Sequence, residues 1–99
     1  INSLEGIGQA FALGAHGVEI DIHYDVENDK FIVSHDYPYK LKHGRLLFLN
    51  EVFMEHGKSG YFWLDLKNLK HLKNGAAKKA SNRLLSILEQ HNLSGKVSV

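Results

Sequence analysis

The sequence has no cysteine among its 99 residues, which excludes disulfides, thiolate zinc sites and cysteine nucleophiles from the chain as read. It has one proline and one tryptophan, no low-complexity stretch and no internal repeat. No apolar run approaches the roughly 18 residues that would cross a bilayer. A strong excess of either sign of charge is missing too. Lys and Arg number 12 against 11 Asp and Glu, a formal net charge of +1, so nothing general in the electrostatics calls for nucleic acid or an anionic membrane surface. Any recognition of phosphate must be local. The glycine-rich loop that cradles phosphates in nucleotide-binding sheets is also absent.

The composition, 43% hydrophobic and 23% charged, is that of an ordinary globular protein, and the length allows one domain or part of one. Asn2 followed by Glu5 resembles a capping box, which predicts a helix over about residues 3–13 with Leu4, Ile7 and Phe11 on its apolar side and Gly14 at its end. The period then changes. Val18, Ile20 and Ile22 alternate with Glu19, Asp21 and His23, the pattern of a strand with two unlike faces. A second extended run, Phe31 to His35, is expected to pair with it through a turn near Asn28-Asp29.

Tyr37 to Arg45 reads as an exposed loop, and Leu49 to His56 as a short helix ended by Gly57. Tyr61 to Lys67 reads as another strand, residues 74–91 as a long helix, and Lys96-Val97-Ser98-Val99 as a strand just begun. With no initiating methionine and an opening directly at a helix cap, the expectation is a domain cut at both ends. The order of elements is that of an α/β protein with a parallel sheet, either doubly wound or a (β/α)8 barrel. The missing glycine-rich loop favours the barrel.

A strand buried on both faces of a parallel sheet should be apolar throughout. Two strands here are not, since Glu19, Asp21 and His23 share one face of the first and Asp65 and Lys67 one face of the later one. Buried carboxylates without partners cost several kcal/mol, so they need something in common that compensates them. Residues i and i+2 on a strand are roughly 6 to 7 Å apart, close enough for two carboxylates to reach one ion. With Asp65 as the third, the set is all oxygen, which suits Mg²⁺ or Ca²⁺ better than zinc. Lys67 is placed to meet a phosphate as a point charge. His35, at a strand end and followed by Asp36, bears an imidazole, a group that can give or take the protons that phosphodiester cleavage moves.

Several linked motifs carry a resemblance. Asn2-Ser3-Leu4-Glu5, Gly14-Ala15-His16-Gly17-Val18-Glu19-Ile20-Asp21-Ile22, Ile32-Val33-Ser34-His35-Asp36 and Leu64-Asp65-Leu66-Lys67 together resemble the glycerophosphodiester phosphodiesterase family. Its pattern is Asn-Thr-Leu, Gly-Ala-Asp-x-Ile-Glu-x-Asp-Val, Val-x-His-Asp and Glu-x-Lys, in that order. The resemblance implies the first part of a (β/α)8 barrel of the phospholipase C-like kind, metal ligation by Glu19, Asp21 and Asp65, and His35 as one of two catalytic histidines. The other would lie in a His-Arg-Gly motif that this chain does not contain.

Two departures matter. The glutamate that usually precedes the asparagine is Ile1 here, and the third carboxylate is Asp65 rather than glutamate. Asp65-Leu66-Lys67, with Asp25 four residues after Asp21, is similar to the sphingomyelinase D-like phospholipases, which implies magnesium and choline or ethanolamine phospholipids. The implied partner is a small-molecule or lipid-derived phosphodiester. A barrel takes about 250 residues to close, so these 99 are not expected to turn over substrate alone.

The competing readings are plainer. Glu19 and Asp21 on a water-facing strand would be ordinary solvated carboxylates, and His35 a satisfied histidine at a strand end, though that leaves Asp36 unexplained. Lys67 would be a surface lysine, His23 a structural residue, and Tyr61 and Trp63 packing residues. The remaining histidines lack metal-ligand spacing, and Lys40, Lys42, Lys70, Lys73, Lys78 and Lys79 read as solvated charges. A barrel of this kind that binds a ligand without turning it over is the rival from another class.

Overall fold

In the computed structural model, which describes residues 1–99, the organising element is strand β1, Gly17–Asp25. It pairs antiparallel with β2 (Lys30–Val33) on one side and parallel with β3 (Tyr61–Leu66) on the other. A short β4 (Val97–Ser98) runs parallel to β3, which gives the sheet order β2-β1-β3-β4. Helix α1 (Leu4–Ala12) precedes β1, α2 (Leu49–His56) leads into β3, and α3 (Asn74–Gln90) connects β3 to β4. This is the mixed α/β order that the change of period predicts.

One face of the sheet is wholly apolar. Val18, Ile20, Ile22 and Tyr24 of β1 join Phe31 and Val33 of β2 and Phe62 and Leu64 of β3 in a single core, closed from above by Ile7, Val52, Phe53 and Ile87 of the helices. Each such side chain contributes roughly 1.5–3 kcal/mol when fully buried, so this face is where the fold draws its stability. The opposite face carries Glu19, Asp21 and His23, with Trp63 and Asp65 beside them in register.

The start of α1 corrects the sequence reading. The cap is Ser3, whose Oγ accepts from the Gly6 N–H at 3.0 Å. Asn2 lies one residue outside the helix and turns to β1 instead. The end is as expected: Gly14 sits at φ +99° and donates to the Phe11 carbonyl at 3.0 Å, a left-handed conformation that glycine adopts freely.

The hairpin also closes where predicted, with Asp25 opposite Lys30 and Asp29 in the left-handed region at φ +54°. The Asp25 carboxylate accepts from the Glu27 N–H and the Asn28 amide within the turn. Strand β2 is shorter than the expected run to His35. Its paired residues end at Val33; the Ser34 N–H still makes the next rung, to the Asp21 carbonyl at 3.1 Å, and the chain then bends away, with the Ser34 hydroxyl donating to the Asp36 carbonyl. The 3₁₀ turn at Leu69–His71 has no counterpart in the sequence reading.

Candidate metal centre and acid-base site

The register of β1 on β3 places Asp21 beside Asp65, and Glu19 lies one step earlier on the same face. Ligand oxygens of Glu19, Asp21 and Asp65 all fall within 4.8 Å of one another. Glu19 is exposed and the Asp65 side chain is about half exposed, at 48%, whereas Asp21 is buried at 6%. Three carboxylates this close repel one another unless a cation lies among them.

Asp21 is held by a residue that the sequence reading assigned to a helix cap. The Asn2 amide donates to Asp21 Oδ2 at 3.0 Å, and Asn2 Oδ1 accepts from the Asp21 N–H at 2.9 Å. Burial pushes the Asp21 carboxyl up, but the Asn2 hydrogen bond and the nearby Lys67 charge outweigh it, and the group titrates below the usual carboxylate range. Its other oxygen, Oδ1, is buried without a hydrogen-bond partner. Lys67 Nζ stands 3.5 Å from that atom and 2.8 Å from Asp65 Oδ2. The Asp65 contact is the main cause of the raised Lys67 pKa.

The donor set fits a hard divalent cation. It offers carboxylate oxygens from two adjacent strands, one of them buried and unsatisfied, and no sulfur or imidazole among them.

His35 follows directly on Ser34, at the point where β2 leaves β1. Its Nδ1 lies 2.9 Å from Asp36 Oδ1. Since an ionised carboxylate can only accept, this contact favours the tautomer with the proton on Nδ1 and a free lone pair on Nε2. The His35 charge in turn holds the Asp36 carboxyl below its usual range, through that hydrogen bond first. The side chain is 65% exposed, so a substrate oxygen can approach it.

His23, next along the acidic face, is buried at 6% and packs edge to face on Tyr39 with ring centres 5.4 Å apart. Burial keeps its pKa below the ordinary value despite the neighbouring Asp21 charge. His23, Tyr37, Tyr39, Lys67, Asn68 and His71 line a cavity of ≈ 350 Å³ beside the carboxylates. On the other side, Tyr61 and Trp63 pack on each other at 5.0 Å. Trp63 also covers Gly17, where a Cβ would lie 2.5 Å from the indole and 2.9 Å from the Tyr61 carbonyl oxygen, so a larger residue there would force the two strands or the ring to shift.

Asn2 and Ser34 are the two residues of the site that sequence reasoning passed over. Both lie inside motifs that carry the family resemblance, and that was the signal available for them.

No family model matches the chain, and no curated protein does. Among solved structures, a glycerophosphodiester phosphodiesterase from Parabacteroides distasonis aligns with a TM-score of 0.77 at 18% identity, over 98% of this chain and 48% of its own. A Galdieria sulphuraria protein assigned to the same enzyme aligns with a TM-score of 0.73 at 17% identity, over 97% of this chain and 48% of its own. The chain thus spans about half the length of each. In fold, therefore, it is similar to the glycerophosphodiester phosphodiesterases, the family that its motifs resemble.

Proposed function

We propose that these 99 residues belong to a (β/α)8 barrel domain which, as a whole protein, hydrolyses phosphodiesters, with glycerophosphodiesters or related phospholipid head groups as substrates. The observation that carries this reading is the convergence of Glu19, Asp21 and Asp65 within 4.8 Å, beside Lys67 and next to the loop that presents His35.

Glu19, Asp21 and Asp65 would hold the cation, Mg²⁺ or Ca²⁺. When bound, such an ion neutralises phosphate charge and makes the phosphorus a better electrophile. The chain's own groups do the rest. Lys67 gives the phosphate a point charge. His35 Nε2 accepts a proton from the attacking oxygen or, once protonated, returns one to the departing alkoxide. Asp36, 2.9 Å from Nδ1, keeps the ring oriented. A second proton carrier would come from outside residues 1–99.

Asp65 in place of glutamate favours one further reading, a sphingomyelinase D-like phospholipase acting on choline or ethanolamine lipids. Comparing turnover of glycerophosphocholine with that of lysophosphatidylcholine and sphingomyelin by the full-length protein separates the two.

The ligand set is tested by calorimetric titration of Mg²⁺ and of Ca²⁺ into the full-length protein and its Asp21→Ala variant. A loss of about tenfold or more in affinity is expected, since outer partners of metal ligands alone are worth about 10- to 100-fold. Unchanged affinity in the variant would remove the proposed centre.

A further inference from the structure

We infer that Ser34 is a positioning residue for His35, holding its imidazole in one tautomer and in register with Asp21; the inference rests on the reading of His35 as proton carrier. Ser34 is 1% exposed, and its N–H and hydroxyl are both engaged. The N–H donates to the Asp21 carbonyl at 3.1 Å. The hydroxyl donates to the Asp36 carbonyl at 2.9 Å and accepts from the Lys40 N–H at 3.2 Å.

The first bond ties the loop to β1 at the residue that holds the buried carboxylate. The other two cross-link residues 34, 36 and 40, so that the backbone bearing Asp36 has little freedom to turn. Asp36 Oδ1 in turn faces His35 Nδ1 at 2.9 Å. The chain of contacts therefore runs from β1 through Ser34 to Asp36, and from Asp36 to the ring. The far end of the loop is anchored separately, by Tyr39 on the buried His23.

Replacing the hydroxyl leaves the Asp36 carbonyl and the Lys40 N–H without their shared partner, and frees Asp36 to move away from the ring. His35 then has no reason to prefer one tautomer. A purely structural serine would behave differently, since its loss would lower the melting temperature and leave the ring as it was.

The test uses the full-length protein and its Ser34→Ala and Ser34→Cys variants. In Ser34→Ala, kcat should fall by about 10- to 100-fold while KM and Mg²⁺ affinity stay within about twofold, the pattern expected of a group that orients a functional side chain from outside. Long-range ¹H–¹⁵N correlations of the His35 ring should show the Nδ1–H tautomer dominant in the wild type and a mixture in Ser34→Ala. Cysteine, close in size and a weaker donor, should fall between the two, and it supplies the same readings if the alanine variant does not fold. A ring that keeps the wild-type tautomer in both variants overturns the inference, whatever happens to turnover. A wild type without activity on any diester overturns the catalytic reading instead, and the tautomer spectra still decide whether Ser34 sets the ring.

Discussion

The two faces of β1 are built on opposite terms. On one, Val18, Ile20, Ile22 and Tyr24 are at most 4% exposed and pack into the apolar core, and the one polar atom among their side chains, the Tyr24 hydroxyl, donates to Asp29. On the other, Asp21 and His23 are nearly as buried, yet Asp21 Oδ1 and His23 Nδ1 have no hydrogen-bond partner. The first face lowers the free energy of the fold without exception, whereas on the second each buried atom left without a hydrogen bond offsets part of that gain, since unsatisfied buried polar groups cost about 1–3 kcal/mol each. The places where a sequence departs from the rules of its own fold are where functional sites are found. The contrast gives stability to the helix-covered face and chemistry to the acidic one.

The largest effect expected on the acidic face comes from His35→Ala. Turnover by the full-length protein should drop about 10²- to 10⁴-fold, the usual worth of a positioned acid-base group. Its melting temperature and Mg²⁺ affinity should barely change, since the ring is mostly exposed and its hydrogen-bond partner is the equally exposed Asp36. Steady-state kinetics with parallel calorimetry decide the matter, and retained activity would assign proton transfer to another group.

Phe62→Ala should show the reverse. Phe62 is 0% exposed and packs edge to face on Phe11 and Phe53 at 5.8 and 5.3 Å. Its loss should destabilise the protein by roughly 3–5 kcal/mol in denaturant unfolding, with Mg²⁺ affinity of the folded fraction unchanged. If that affinity falls as well, the two faces are coupled and the division between them is wrong.

Much of this was legible in the sequence because it is periodic. Alternation alone put Glu19, Asp21 and His23 on one side of β1 and Asp65 on the matching side of β3, and the turn residues closed the hairpin at Asn28-Asp29. What periodicity cannot carry is pairing at a distance. Asn2 meets Asp21 across 19 positions of sequence, and since Asn is also a good helix cap, the local reading won over the tertiary one. Ser34 reads as one more residue of an extended run, and only its hydroxyl, which donates to the Asp36 carbonyl and accepts from the Lys40 N–H, reveals that the chain turns away there. Lys67 was expected to face a phosphate, and its contacts with Asp21 and Asp65 depend on a strand register that spacing does not specify.

Those contacts give the smallest effect and the finest test of the contrast. Lys67 Nζ stands 2.8 Å from Asp65 Oδ2 and 3.5 Å from Asp21 Oδ1, so in the absence of an ion it partly neutralises the acidic group itself. A divalent cation among the same carboxylates must then share them with an ammonium. Near 4 Å in a water-like medium, a double charge and a single one repel by roughly 2 kcal/mol. Relaxation of the flexible lysine stem away from the ion removes part of that. Lys67→Met, which keeps the stem and deletes the charge, is therefore expected to tighten Mg²⁺ binding by about 3- to 10-fold. The same variant should lose about tenfold in kcat/KM, because the phosphate has lost a charge-assisted contact. Opposite signs in the two measurements are the mark of a lysine that serves as counter-ion in the free protein and as phosphate ligand in the complex. Weaker binding of both Mg²⁺ and substrate would instead make Lys67 a structural strut between β1 and β3, and phosphate contact would have to be reassigned.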